Sequence, residues 1–147
     1  MSTKIIEHLE EATIRFAGDS GDGMQLIGTQ FSETSGFAGN EVNTFPDYPS
    51  EIRAPEGTLY GVSAFQVHFG TRHIYTSGDF IDVLVAMNAS SLKVNLPNLK
   101  KGGIIIVNTE GFDDRNLSLA KFAVSPLTDG SLNEYEVHAL DMYKTLK

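Results

Sequence analysis

The sequence predicts an α/β fold, a three-layer α/β/α sandwich with a mostly parallel, mixed sheet of the Rossmann-like kind. Two short runs, DVLVAMN at 82–88 and GIIIVN at 103–108, are apolar almost throughout, as in strands covered on both faces. Segments with helical spacing alternate with the predicted strands, which is typical of a sheet between two layers of helices. The chain has 147 residues, the length of one domain.

The first predicted element is a short amphipathic helix. Ser2 or Thr3 is suited to cap it, and Ile5, Ile6 and Leu9 then share one face. We expect this helix to precede the first strand.

A strand, a glycine-rich loop and a helix come next. Residues 12–18, ATIRFAG, form a β-rich run that leads into the loop, and Gly36 and Gly39 are plausible stops for the helix. The apolar residues that recur at helical spacing after the loop are Met24, Ile27, Phe31 and Ala38.

The next segment, 39–58, holds three prolines, and a helix is therefore excluded. Pro46 and Pro49 suit an irregular or edge segment, because proline cannot donate to a sheet. Residues 61–70 alternate apolar and polar side chains as a strand does, and 71–78 is expected to pair with them as a hairpin or bulged partner.

The C-terminal half continues the alternation of strands and helices. In order, we expect a strand at 82–88, a helix at 89–103 broken at Pro97 and closed by Gly102 and Gly103, a strand at 103–108, a last strand at 133–140 and the start of a helix at 141–147. This beginning of a helix would leave one sheet face poorly covered. We therefore expect residues 1–147 to be a single domain that is incomplete at its C-terminal end.

Composition excludes several classes of function. The net charge of −8 disfavours nucleic acid and anionic membranes as partners. The chain has no cysteine, so it forms no disulfide and offers no thiol for catalysis or iron–sulfur ligation. The charged N-terminus is not a signal peptide and no apolar run is long enough to span a membrane, so a cytoplasmic location is expected.

The loop GDSGDG invites three catalytic or cofactor interpretations, none of which fits well. Its residues are Gly18, Asp19, Ser20, Gly21, Asp22 and Gly23. A Ser20 nucleophile lacks the glycine that should follow and an orienting acid and base. A thiamine diphosphate motif lacks its asparagine pair. A dinucleotide loop needs its glycines in another order, and two carboxylates would repel a pyrophosphate.

Two other interpretations of the loop stay open. In one, Asp22 caps the helix that begins at Met24 and the glycines merely supply the turn. In the other, the loop lets a second chain, or a cofactor held by it, approach closely. A positive φ at Gly21 is expected in either case, so that a β-branched residue there would strain the loop.

The longer pattern resembles a known family. The segments that carry the resemblance are IRFAGDSGDGMQLIGTQF, NTFPDYPSEIRAPEGTLYGVSAFQVHFG, DVLVAMN and LKKGGIIIVN. In this order they resemble the gamma domain of 2-oxoacid:ferredoxin (acceptor) oxidoreductases. The most similar variant is the N-terminal gamma domain fused to the alpha subunit of 2-oxoglutarate enzymes.

The resemblance implies a non-catalytic role within a larger enzyme. That enzyme decarboxylates a 2-oxoacid on thiamine diphosphate and Mg²⁺, passes electrons through iron–sulfur clusters to ferredoxin, and transfers the acyl group to coenzyme A. The alpha and beta parts carry the thiamine chemistry, and the gamma domain is a scaffold or lid beside it. The resemblance implies no cofactor bound by this chain alone.

The resemblance also implies two candidate binding elements. The loop from Gly18 to Gly23 would face the partner or coenzyme A, and Glu51 and Arg53 would be a polar pair in the segment after it. Arg53 is suited to bind a phosphate or carboxylate, although a salt bridge with Glu51 or Glu56 is an equally ordinary role. The Arg53-Ala54-Pro55 sequence replaces the Arg-Gly-Gly of many gamma domains.

The remaining candidates have ordinary structural explanations. His68 and His73 flank a turn and are expected to be structural rather than metal ligands, and Asp113 and Asp114 are expected in a solvated loop. Phe45 and Tyr48 are expected either to anchor an interface or to line the core. Two rival functions stay open: a stand-alone nucleotide-binding module, and a purely structural docking domain.

Overall fold

The fold is a six-stranded mixed sheet flanked by helices. The computed structural model describes residues 3–19, 21–47 and 62–144, and the strands lie in the order β2-β3-β1-β4-β5-β6. The elements are β1 (Glu11–Asp19), α1 (Met24–Phe37), β2 (Glu41–Asp47), β3 (Val62–Gly70), β4 (Ile81–Ala86), α2 (Ala89–Asn95), β5 (Leu99–Asn108), α3 (Asp114–Leu119) and β6 (Glu136–Leu140).

Most strands run in one direction. The pairs β1·β4, β4·β5 and β5·β6 are parallel, whereas β3 is antiparallel to both β1 and β2. Only β3 therefore opposes the other strands. The predicted mostly parallel, mixed α/β sheet is confirmed.

The two faces of the sheet carry separate cores. Met24 of α1 packs with Phe16 and Val85 on one face. Leu92 of α2 packs with Ala17 and Leu84 on the other. Since successive residues of a strand point to opposite faces, α1 and α2 lie on opposite sides of β1 and β4. This is the three-layer arrangement that the apolar runs predicted.

A buried arginine ties the α2 side of the sheet together. The Arg15 side chain donates from Nε to Oδ1 of Asn95 at 2.6 Å, from Nη1 to Oε1 of Gln66 at 3.0 Å and from Nη2 to the Asp47 carboxylate. The guanidinium thus links the central strand β1 to β2, β3 and α2. Nothing in the spacing of the sequence indicated this network.

The prediction of an N-terminal helix is wrong. Residues 3–9 form no helix or strand, and Ile5, Ile6 and Leu9 are exposed. A helix this short is marginal in water unless its apolar face is buried, and here the face contacts no core.

The predicted partner strand at 71–78 is also wrong. The amide of Gln66 donates to the carbonyls of Ser77 and Gly78 at 2.6 Å each, and the Thr76 carbonyl lies 2.6 Å from Nδ1 of His68. Side chains of β3 therefore take the carbonyls that a strand would use in a ladder, and the segment lies across the sheet as a loop.

The helix predicted at 89–103 ends early. α2 stops at Asn95, Pro97 lies in a short 3₁₀ turn, and β5 begins at Leu99. Gly102, at φ 74°, lies inside β5 where its register with β4 shifts, so it does not close a helix. Proline cannot continue the hydrogen-bond ladder of a helix, which explains the early end.

The C-terminal predictions are mixed. β6 confirms the last strand. Of the helix expected at 141–147, the described residues form a turn that reaches a 3₁₀ residue at Lys144, and residues 145–147 lie outside the described part, so this helix stays a prediction. Asp113 and Asp114 are exposed, as expected, but they begin a helix rather than lie in a loop. The Asp113 carboxylate accepts from the Asn116 backbone N–H at 2.8 Å and caps α3. The hydrogen bonds from Asn116 hold the pKa of Asp113 below its usual value. In the described part of the chain, no helix is long and apolar enough to cross a membrane.

Candidate functional site

The candidate site is a crevice at the carboxyl ends of β1, β4 and β5. The chain leaves β1 for α1 on one face and leaves β4 for α2 on the other. Adjacent parallel strands whose connections depart in opposite directions form a topological switch point, where α/β sheets bind their ligands. The crevice has a volume of about 230 Å³ and is lined by Asp19, Asp22, Met87, Asn88, Asn108, Glu110, Gly111, Asn116 and Tyr143.

The loop after β1 is closed by its own two carboxylate residues. The Asp19 N–H donates to Oδ2 of Asp22 at 2.8 Å, and the Asp22 N–H donates to the Asp19 carbonyl at 3.0 Å. A Cβ at Gly18 would lie 2.8 Å from Oδ2 of Asp22 and 3.1 Å from Cβ of Met87. A glycine at position 18 therefore lets the loop fold back against the end of β4.

Asp22 does not cap α1, so that interpretation of the loop is wrong. Gly23, at φ 74°, occupies the N-cap position, and no side chain caps the helix. The Asp22 carboxylate has turned back to the Asp19 N–H instead. The expected positive φ at Gly21 is also wrong, because in this loop it is Gly23 that has one.

Asn88 ties the loop after β1 to the start of α2. Its Nδ2 donates to Oδ1 of Asp19 at 3.0 Å, and its Oδ1 accepts from the Ser91 N–H at 2.8 Å. The Ser91 hydroxyl and the Asn88 N–H complete a capping box. The N-terminus of α2 is thus occupied by its own cap.

The end of β5 forms the far wall of the crevice. Oδ1 of Asn108 accepts from the Met142 N–H at 3.3 Å, which holds the turn after β6 against the site. A Cβ at Gly111 would lie 1.9 Å from the Met87 carbonyl oxygen, so only glycine allows this approach. The wall is therefore fixed by backbone packing.

The crevice is acidic. Asp19, Asp22 and Glu110 contribute carboxylates to its lining, and none of the described lining residues is a lysine or arginine. A bare pyrophosphate would be repelled, whereas amide, hydroxyl, ammonium or guanidinium donors would be accepted. In the described part of the chain, no group of three or more acidic or histidine side chains is arranged to hold a metal ion.

The structure brings part of the predicted site together. Gly18, Asp19, Gly21, Asp22 and Gly23 lie in the loop beside the crevice. Ser20 and Arg53 lie outside the described residues, as do Tyr48, Glu51 and Glu56. The functional role of the loop and of Arg53 stays a prediction.

The histidines and the aromatic candidate have separate surroundings. Nδ1 of His73 pairs with Glu41 at 2.7 Å, while His68 contacts Thr76 and Glu11. The ring of Phe45, proposed as an interface anchor or a core residue, is 49% exposed on the edge strand β2.

Of the residues that line the crevice, only Asp19 and Asp22 were predicted from the sequence. The polar side chains of Asn88, Asn108 and Glu110 are among those that were not. A signal for two of them was present, because the apolar runs VLVAMN and IIIVN both end in asparagine. The carboxyl ends of neighbouring parallel strands meet at one edge of a sheet, so these amides had to lie close together.

A switch-point crevice in a mixed sheet between two helix layers defines a Rossmann-like domain. The sequence also matches the family "Pyruvate ferredoxin/flavodoxin oxidoreductase" over residues 13–147. The chain belongs to this family, and its resemblance to the gamma domain is confirmed.

Relatives and solved structures agree with this assignment. The chain is 50% identical over 136 residues to the 2-oxoglutarate oxidoreductase subunit KorA of Mycobacterium tuberculosis, covering 92% of this chain and 21% of that protein. A structure of 2-oxoglutarate:ferredoxin oxidoreductase from Magnetococcus marinus, with 2-oxoglutarate, coenzyme A and succinyl-CoA bound, matches with a TM-score of 0.70 and 25% identity. The match covers 94% of this chain and 21% of that one.

A separate gamma subunit shares the fold. The keto/oxoacid ferredoxin oxidoreductase gamma subunit from Geobacter sulfurreducens matches with a TM-score of 0.64 and 20% identity, over 92% of this chain and 63% of that one. The chain thus spans about a fifth of the length of KorA and under two thirds of this subunit.

Proposed function

We propose that the chain is the gamma domain of a 2-oxoglutarate-type 2-oxoacid:ferredoxin oxidoreductase, as a scaffold and lid beside the thiamine and coenzyme A site. The observation that carries the proposal is the 50% identity to a 2-oxoglutarate oxidoreductase subunit over 92% of this chain. The bound 2-oxoglutarate and coenzyme A of the Magnetococcus marinus structure support the substrate class.

In this proposal the chain itself carries no catalytic group. Thiamine diphosphate, Mg²⁺ and the iron–sulfur clusters belong to the alpha and beta parts, and ferredoxin accepts the electrons from the assembled enzyme. This chain contains no cysteine to ligate a cluster. The expected cytoplasmic location stays a prediction.

The acidic crevice gives the loop a defined part in the proposal. Asp19 and Asp22 would accept hydrogen bonds from donor groups of the partner or of the amide-bearing arm of coenzyme A. The phosphates would not lie there, because three carboxylates line the crevice. Any phosphate contact from this chain would fall to Arg53.

The first experiment is to isolate the native species that carries this sequence and determine its mass and cofactors. A large assembly that contains thiamine diphosphate and iron–sulfur clusters is expected. A lone protein of the mass of this chain would overturn the proposal and favour the stand-alone nucleotide-binding module, although the acidic crevice argues against that alternative.

The Arg53→Ala variant of the assembled enzyme tests the contact with coenzyme A. The apparent KM for coenzyme A should rise while the KM for the 2-oxoacid stays constant, since only the coenzyme carries phosphates. An unchanged KM for coenzyme A would show that Arg53 pairs locally. The Arg72→Ala variant, on an exposed loop, is the matched control.

A further inference from the structure

The outer face of α1 combines exposed apolar side chains with very little charge. Leu26 and Phe37 lie about three turns apart along this face and are 63% and 92% exposed. Glu33 is the one charged residue of the helix, whereas a fifth of the whole chain is charged. Depletion of charge around exposed apolar side chains is characteristic of the core of a protein–protein interface.

Three of the four hydroxyl groups of α1 are already satisfied within the helix. Thr29, Ser32 and Thr34 each donate to the carbonyl oxygen four residues earlier, at 2.7, 2.7 and 2.8 Å. These donors therefore lose no partner when water is removed, and covering the helix leaves them hydrogen-bonded. These three hydroxyl groups therefore add little to the cost of covering the helix.

Glu33 restricts what can cover this face. Its side chain is exposed, and none of the residues described here forms an ion pair with it. A carboxylate that is covered without a cation is strongly unfavourable. The covering surface must therefore bring a lysine or arginine to this point.

A second copy of the chain does not meet that requirement. A twofold contact that pairs Leu26 with Phe37 of the other copy has its axis midway between these residues. Glu33 lies within two residues of that midpoint, so the two Glu33 carboxylates would face each other. The net charge of −8 on each copy adds to the repulsion.

We propose that the outer face of α1, defined by Leu26, Glu33 and Phe37, docks against the rest of the oxidoreductase. The surface it meets is mainly apolar and carries one basic side chain opposite Glu33. This inference rests on the proposed function. Leu26 lies in the first turn of α1, which follows the loop that contributes Asp19 and Asp22 to the crevice.

The test compares two lysine substitutions in the assembled enzyme. Leu26→Lys places a cation in the docking face, and Leu119→Lys is the matched control, because Leu119 is 61% exposed on α3 on the other side of the sheet. Recovery of the thiamine-binding part with the tagged chain is measured by native mass spectrometry. Leu26→Lys should lower the affinity about tenfold or more, and Leu119→Lys should behave as wild type.

Three further measurements separate docking from folding and test the role of Glu33. Thermal unfolding of the chain should be unchanged by both lysine substitutions. Phe37→Ser, at a side chain that is 92% exposed, should weaken assembly without any effect on folding. Glu33→Gln should reduce the salt dependence of assembly, because it removes the ion pair.

The outcomes distinguish the inference from the proposed function. If the wild-type chain recovers no thiamine-binding part, the proposed function fails. If the wild type assembles and Leu26→Lys and Phe37→Ser assemble equally well, the docking face alone is overturned. If the chain instead forms a dimer that Leu26→Lys abolishes, a second copy occupies the face and the inference is wrong.

Discussion

Arg15 shows how a single residue holds the α2 side of the sheet in register. Its guanidinium is buried, and each of its three nitrogens donates to a different element. A buried cation is stable only when it is paired and its donors are satisfied, and both conditions hold here. The position of Asp47 at the end of β2 therefore depends on a residue in the central strand.

Arg15→Met should lower the free energy of unfolding by about 2–4 kcal/mol, because Asn95 and Gln66 lose a buried donor and Asp47 loses its cation. Arg72→Met is the control, since Arg72 pairs with Glu10 on an exposed loop, and should cost no more than about 1 kcal/mol. Urea denaturation of both variants measures the difference. If Arg15→Met and Arg72→Met lower the free energy of unfolding equally, the buried network of Arg15 adds nothing to stability.

Gly21 and Gly23 belong to the same loop, but substitution of each by alanine should affect stability differently. Gly23→Ala should cost about 1–2 kcal/mol, because it forces an alanine into a left-handed conformation at φ 74°. Gly21→Ala should cost almost nothing, since no atom of the described residues lies within 4 Å of the added Cβ. The comparison uses urea midpoints, and a larger loss at Gly21 would contradict this loop geometry.

At the scale of elements, α1 is placed by one close approach to the sheet. A Cβ on Gly28 would lie 2.1 Å from the ring of Phe65 on β3, so only glycine lets the helix descend this far. Phe31 then packs its ring against Phe16 and Phe69 at centroid distances of 5.6 and 5.2 Å. The helix and the antiparallel part of the sheet therefore fit as a unit.

Two alanine substitutions in α1 should have opposite signs. Gly28→Ala should lower the free energy of unfolding by about 1–3 kcal/mol, because overpacking displaces the Phe65 ring or the helix. Gly36→Ala should raise it by up to about 1 kcal/mol, since that site is open and alanine favours helix. Thermal unfolding of both variants measures the two effects. If both substitutions shift the melting temperature in the same direction, the close approach of Gly28 to Phe65 is contradicted.

The strands were predictable from the sequence because their signal is local. The apolar runs of β4 and β5 need both faces covered, and no other element explains five or six such residues in a row. Pro46 likewise confines β2 to the sheet edge. These patterns can be interpreted from one segment alone, without knowledge of its contacts in the fold.

The errors occurred where a side chain hydrogen-bonds to a backbone group, which the residue pattern of a single segment does not show. The pattern at 71–78 predicts a strand, but its carbonyl groups are hydrogen-bonded by the side chains of Gln66 and His68. The position of Asp22 predicts a helix cap, but its carboxylate instead accepts a hydrogen bond from the Asp19 N–H. At the candidate site, the glycine loop was predicted as part of the site, but Asn88 and Asn108 were not, since their meeting depends on strand order.

At the scale of the whole molecule, the two faces of the sheet are covered unequally. α1 contacts β1, β2 and β3, and the parallel strands β5 and β6 extend beyond it. On that side Ile104 and Ile106 are only partly buried, and their register partners Glu136 and His138 are exposed. Parallel strands are normally buried on both faces, so this part of the sheet should be the least stable.

Hydrogen exchange should reveal that gradient across the sheet. In the 147-residue chain, amides of β6 should exchange about 100-fold faster than those of β4, because β6 lies at an edge and β4 between two strands and two cores. Mass spectrometry of peptides from the two strands measures this ratio. If the amides of β6 are as well protected as those of β4 at every protein concentration, the gradient is contradicted. Protection that falls on dilution would show that copies of the chain cover the exposed face at high concentration, and the gradient would then reappear in the dilute sample.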